Sequence, residues 1–305
     1  MNKSNTNGGG RGSFSKGAGG ISIIGDVINH GKRQFWDPKK SVHYHATLQK
    51  GENTLEVQLV RVLMKSIVAT GGVFDPEHFR QSYVTFMRSP GSHNDTYAST
   101  CHRMFFANLV FKNLPPDQCP DNDGHNIDTI DGLVLPTIAA LAASASGDGD
   151  LAKTFAVQAA AVTRNSKVLE STSEVWSTIV FDVLHGEDIN VSLDSAARLL
   201  GLRSPLDNVR DEISACYLGG SLPPTLNMIK KYTSKNNDVW TGILANANTG
   251  GENVHRGSIL GAVLGAHAGI EKMPPKLFDL HHREELEGEI NAFVNAVLRS
   301  DSKEL

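Results

Sequence analysis

From Leu55 to Leu298 apolar residues recur at three- and four-residue intervals, and no stretch alternates apolar with polar as a half-buried strand does. This one pattern restricts the chain to helices packed on helices. The first such segment places Leu55, Leu59, Val62, Leu63, Ile67 and Val68 on one face and ends at Gly71-Gly72. Asp75-Pro76-Glu77 opens a second helix, with aspartate as the cap and proline in the first turn, and Pro90-Gly91 closes it. Further helices are predicted over 96–111, 129–145, 151–163, 171–184, 193–200, 206–217, 222–232, 239–247, 258–270 and 282–298. With short connections and no fixed-period repeat, the expected fold is a compact all-α, multi-helix domain over 21–305. Residues 1–20 are mostly Gly, Ser, Asn and Lys with little to bury, and read as a flexible tail.

The composition narrows the function classes. Of the 305 residues 40% are hydrophobic, which suffices for a core, and the net charge of −4 gives no electrostatic reason to expect nucleic acid. No apolar run reaches the ~18 residues of a membrane span, and the N-terminus lacks the apolar core of a signal peptide. The three cysteines, Cys101, Cys119 and Cys216, are far apart and never C-x-x-C, so a disulfide framework or structural zinc is not expected. A soluble, cytoplasmic protein with no nucleic-acid and no membrane partner is the expectation. The stretch Gly257, Gly261, Gly265, Gly269 keeps small residues on one slowly drifting helix face. Each costs ~1 kcal/mol against alanine, so a close helix–helix approach is predicted there.

Polar residues crowd immediately ahead of four helices: 51–54, 90–96, 121–128 and 248–257. Helix starts favour such residues as caps. Oxygen-rich groups gathered at one end of a bundle also suit a hard cation such as Mg²⁺. The residue types alone leave both readings open. Asp128 and Asp131 read as surface charges three residues apart, and His43 and His45 as solvated histidines.

The first and last of these clusters, G-E-N-T at Gly51–Thr54 and G-G-E-N-V-H-R-G at Gly250–Gly257, resemble the metal motifs of the ADP-ribosylglycohydrolase family. These are all-α enzymes with a pair of Mg²⁺ ions. Ala161-Val162-Thr163-Arg164 stands where the family has A-x-T-H, and Asp123–Asp128 where it has G-N-G-x-M-R. The strings HYHATLQKGENTLEVQL, SPGSHNDTYASTCHRMFFANL and DNDGHNIDTIDGL resemble the branch containing the J-type lens crystallins. The resemblance implies a metal-dependent hydrolase of an ADP-ribosyl N- or O-glycosidic bond, acting on an ADP-ribosylated protein or a small ADP-ribose derivative. It assigns catalytic roles to Glu52 and Glu252. Metal ligation falls to Glu52, Asn53, Thr54, Glu252, Asn253 and His255, and substrate contacts to His93, Asn94, Asp95, Asp123, Gly124, His125, Asn126 and Arg164.

The departures from the family pattern carry their own expectations. Glu52-Asn53 replaces Asp-Asp, and Glu252-Asn253-Val254-His255 replaces Asp-x-Asp-Thr. Valine cannot ligate and asparagine is neutral, so donors remain for one cation rather than two. The imidazole of His255 admits Mn²⁺ or another divalent ion in place of Mg²⁺. Nothing before Glu52 matches the family's opening G-D-A-x-G helix, so the chain is expected to begin downstream of it. Arg164 suits an anion or a structural carboxylate equally. The alternative function is a catalytically degenerate, crystallin-like structural or ligand-binding protein on the same fold.

Overall fold

The computed structural model describes residues 21–37, 40, 42–121, 127–202, 214–234 and 239–301. Eleven α-helices run through the described residues: α1 Leu55–Ala69, α2 Pro76–Arg88, α3 Thr100–Phe111, α4 Val134–Ser144, α5 Gly149–Thr163, α6 Lys167–Leu184, α7 Ile189–Leu199, α8 Leu218–Thr233, α9 Val239–Thr249, α10 Asn253–Ala268 and α11 Arg283–Asp301. Short 3-10 turns connect several of them, and only isolated bridges, no strands, occur among the described residues. The fold is all-α. No helix among these residues is long and apolar enough to cross a membrane.

The described residues fall into two compact units, one drawn from 1–127, 161–166 and 280–296, the other from 128–160, 167–279 and 297–305. In the first unit α1 buries Leu55, Leu59, Leu63 and Ile67, every fourth residue, and α1 packs on α2. Asp75 caps α2 by accepting from the amides of Glu77 (2.8 Å) and His78 (3.1 Å), as the sequence predicts. α1 ends where Gly72 N–H returns to the Ile67 carbonyl at 2.8 Å. Gly71 and Gly72 there take positive φ, which glycine adopts without strain. Every residue of α3 from Thr100 to Asn108 is buried.

Arg61 of α1 holds the carboxylate of Glu289 on α11 through two bonds of 2.7 Å, and Lys65 reaches it at 2.8 Å. Burial raises the Glu289 carboxyl, but the hydrogen bonds and charges of Arg61 and Lys65 outweigh it and bring it down to about 2. A depressed carboxyl stabilises the fold above its unfolded value, 4.5, and that contribution vanishes as pH falls toward 2. Lys65 is well exposed, so the contribution is about 2 kcal/mol once solvent screening is allowed for. The variant Glu289→Gln should therefore lose about 2 kcal/mol in urea unfolding at pH 7 and about a quarter of that at pH 2.5. An equal loss at both pH values would remove the ion pair from the account.

In the second unit α10 lies against α6, α8 and α9. The glycine stripe makes the predicted close approach. A Cβ on Gly257 would stand 2.7 Å from Asn246 Nδ2, and one on Gly261 3.2 Å from Ile243 Cδ1, both atoms belonging to α9. From the other side Gly242 of α9 leaves 2.6 Å to Leu264 Cδ1. Two expectations need correction here. The helix predicted from Leu222 begins at Leu218 and carries Pro223 and Pro224 inside it. Asp131 is no surface charge: it is buried in the turn Ile130–Leu133 and accepts from the Thr129 hydroxyl. Most of the helix predicted over 206–217 lies outside the described residues.

Candidate functional site

In the first unit the segment 90–97 organises the surroundings of Glu52. Asp95 is 1% exposed and accepts from the Leu55 amide at 2.8 Å, the Tyr97 amide at 3.0 Å and His45 Nδ1 at 2.9 Å. It thus caps α1 from forty residues away and draws in the loop that carries Glu52. His45 is consequently half-buried and paired, a correction to its reading as a solvated histidine; its own amide donates to His43 Nδ1 at 3.1 Å. Asn94 extends the same stitching. Its Nδ2 donates to the Thr47 carbonyl at 2.7 Å and to Glu52 Oε2 at 3.1 Å, and its Oδ1 accepts from Lys32 Nζ at 2.9 Å. Glu52 Oε2 also accepts from the Gln49 amide at 2.9 Å.

These bonds shape a polar cavity of about 450 Å³. Of the residues expected to form a site, Glu52, Asn53, His93 and Asn94 line it together. Thr54 holds the N-cap position of α1 without a side-chain cap bond, and Asp95 lies behind the wall as a structural hub. The ring of His93 stacks on Phe86 with centroids 5.9 Å apart. Burial, helped by the charges of Lys32, His102 and His30 and opposed by Asp95, lowers its pKa to about 4, so it is a neutral imidazole at pH 7. The sequence reading missed further lining groups, among them His30, Lys32, His281 and His282. No local pattern marks them; they come from two segments about 250 residues apart.

Arg164 also belongs to this unit. It is 3% exposed, and its guanidinium donates to the Ile127 carbonyl at 2.9 Å. Its backbone pairs with Asp121, and the next amide, that of Asn165, returns to the Asp121 carbonyl. Arg164 and the next amide therefore tie Asp121 and Ile127 to the end of α5. Asp123, Gly124, His125 and Asn126 themselves lie outside the described residues.

The late motif lies in the second unit. Glu252 caps α10, its Oε1 accepting from the His255 amide at 3.4 Å and from His255 Nδ1 at 2.8 Å. The Glu252 amide donates to the Ser214 carbonyl at 3.1 Å. Asn253 joins the end of α9: its backbone carbonyl accepts from Asn246 Nδ2 at 2.7 Å and its side-chain Nδ2 donates to the Ala247 carbonyl at 3.1 Å. Arg256, fully buried, knots the whole turn through Asn246, Ser214 and Gly250.

A Mg²⁺ ion demands near-octahedral oxygen ligands, usually including carboxylates. The cavity of the first unit is lined by two carboxylates, Glu52, with one oxygen already accepting two N–H groups, and Glu285, paired with Arg61; the second unit offers Glu252, engaged as a cap. Among the described residues no group of three or more His, Cys, Asp or Glu side chains could hold a metal ion. Taken unit by unit, these donors do not fit the ion.

The sequence model of a family described as ADP-ribosylglycohydrolase matches residues 20–303. A solved structure described as an ADP-ribosylglycohydrolase-related protein complex superposes with a TM-score of 0.59. It is 22% identical, and the match covers 83% of this chain and 83% of that one. A search of the curated proteins finds no match.

Proposed function

The chain belongs to the ADP-ribosylglycohydrolase family, and from that premise we propose that it hydrolyses an N- or O-glycosidic ADP-ribosyl linkage on a protein or a small ADP-ribose derivative. Its place would be the branch that includes the J-type lens crystallins. The observation that carries this reading is the Glu52 carboxylate in the cavity wall, one oxygen fixed by Gln49 and Asn94. Glycoside hydrolysis passes through an oxocarbenium-like transition state. A fixed carboxylate there takes a proton from the attacking water or steadies the positive charge. Asn53 and the neutral ring of His93 supply polar contacts beside it, suited to ribose hydroxyls. Glu252 is the second carboxylate of the proposal.

The test is release of ADP-ribose from arginine-linked and from serine- or glutamate-linked peptides by the purified full chain, with Mg²⁺, with Mn²⁺ and after chelation. Glu52→Gln is expected to lower kcat at least ~100-fold with an unchanged unfolding midpoint. Turnover by the variant equal to wild type would refute the assignment of Glu52. Dependence on the added ion would support a divalent cofactor, and full activity after chelation would exclude one. A second reading, a non-catalytic structural or ligand-binding descendant of the fold, is favoured by Glu252 being spent on the α10 cap and on His255. Binding of ADP-ribose without turnover of any of these peptides would select it.

A further inference from the structure

The cavity of Glu52 does not end at Arg61. Gln58, Arg61, Ser92 and Glu285, which line it, also line a second and larger hollow of about 610 Å³, wholly within the first unit. From this shared end the hollow runs as a groove between α1 and α2, walled by Val62, Ser66 and Ala69 on one side and His78, Gln81 and Thr85 on the other. From Gln58 to Ala69 α1 rises about 16 Å, the length of about five extended residues. Ser66, 2% exposed, bonds His78 Nδ1 at 2.7 Å beneath the groove and holds its two walls together.

The charges along the groove are compensated. Arg61 is taken up by Glu285 at 2.6 Å and by Glu289, and Lys65 by Glu289 at 2.8 Å. An anion would find no uncommitted cation there. Neutral hydrogen-bonding groups remain. On α1, Gln58 Oε1 accepts from Arg61 at 3.2 Å, which leaves its Nε2 as a donor. On α2, Gln81 Nε2 donates to Glu77 at 3.1 Å, which leaves its Oε1 as an acceptor. Ser82 gives its proton to the His78 carbonyl at 2.9 Å and keeps only acceptor capacity. Val62, Ala69 and Phe86 supply apolar surface between these groups. A donor on one wall and acceptors on the other suit an extended main chain, which offers C=O and N–H groups along both edges.

We propose that the α1–α2 groove binds an extended, uncharged polypeptide segment of about five residues by its main chain, a modified side chain of that polypeptide entering the Glu52 cavity across the shared end. The place of that side chain rests on the hydrolase reading; binding of the segment does not. The test is a nuclear magnetic resonance titration of the full chain with an unmodified nine-residue peptide of glycine, serine and alanine. At millimolar peptide the side-chain amide signals of Gln58 and Gln81 are expected to shift. The double variant Gln58→Ala/Gln81→Ala should weaken binding at least fivefold, and Gln158→Ala, an equal truncation on α5, should leave it unchanged. If the double variant does not fold, Thr85→Trp, which fills the groove from an exposed position on α2, carries the test with the same loss expected. The same peptide bearing ADP-ribose on its central serine should bind at least tenfold more tightly than ADP-ribose alone, a gain that the double variant erases. Unmoved Gln58 and Gln81 signals overturn the proposal, as does an equal loss in Gln158→Ala or a modified peptide that binds no better than ADP-ribose. Peptide binding without hydrolysis of the modified peptide would count against the hydrolase reading alone, and hydrolysis without binding in the groove against this inference alone.

Discussion

Replacing Arg256 with leucine is expected to lower the stability of the chain by about 4 kcal/mol, read as the shift in urea unfolding. The guanidinium is 0% exposed, and burial lowers its pKa while the Glu252 charge opposes that. Its Nε donates to Asn246 Oδ1 at 2.6 Å, and its two terminal nitrogens to Ser214 Oγ at 2.8 Å, the Gly250 carbonyl at 2.8 Å and the Asn246 carbonyl at 3.3 Å. Leucine fills part of the volume but strands these acceptors away from water, at about 1–3 kcal/mol for each left unsatisfied. The residue 252–256 turn should loosen first, so amide exchange at His255, whose N–H meets the Glu252 cap, should accelerate before global unfolding. Arg256→Lys keeps the charge without the fork of donors and should fall between wild type and leucine. A leucine variant within 1 kcal/mol of wild type would show that the knot is dispensable.

The second large effect is expected at Glu56. This carboxylate, 6% exposed on α1, accepts from Ser99 Oγ at 2.9 Å and lies 3.1 Å from His102 Nε2. The Nδ1 of the same ring meets the buried Tyr83 hydroxyl at 2.8 Å. Burial alone would push His102 down. Cys101, Tyr83 and Glu56 together overcome it and hold the imidazole well above 6.5, hence charged at pH 7. Glu56→Gln leaves that charge buried without its carboxylate, a loss of about 3–5 kcal/mol. The sign with pH follows from the raised value. The His102 contribution is complete below 6.5 and disappears as pH rises through the elevated folded pKa. The deficit of Glu56→Gln should therefore be largest near pH 6 and shrink in alkaline buffer. Proton NMR of the His102 ring should show its pKa falling in the variant. A deficit that does not change with pH would contradict a charged His102.

The reach of sequence reasoning follows from the range of the interactions. Asp75 before Pro76, the Gly71-Gly72 stop and the glycine stripe of α10 act over one or two turns, and each was legible from spacing alone. The grouping of Glu52 and Asn53 with His93 and Asn94 was also anticipated, because both clusters are polar runs before apolar helices. His45 and Asp131 were misread because burial is not a local property. The partner of His45 is fifty residues along the chain, at Asp95. Nothing in their own neighbourhoods distinguishes them from solvated side chains.

By itself, then, the sequence determined the all-α class, the presence and approximate ends of most helices though their starts shift by up to five residues, the Asp75 cap, and the family. Those rest on local periodicity, backbone preferences and motif strings. Only the tertiary structure decided which polar residues are hubs, which are walls and which are ligands-in-waiting. It made Asp95 a buried cap, Arg164 a link between Asp121 and Ile127 and Arg256 a knot under Glu252. It also brought Lys32 and the pair His281–His282 to the cavity of Glu52. The physical reason is that a polar side chain's role depends on its desolvation and its partners, and chain segments tens to hundreds of residues away set both.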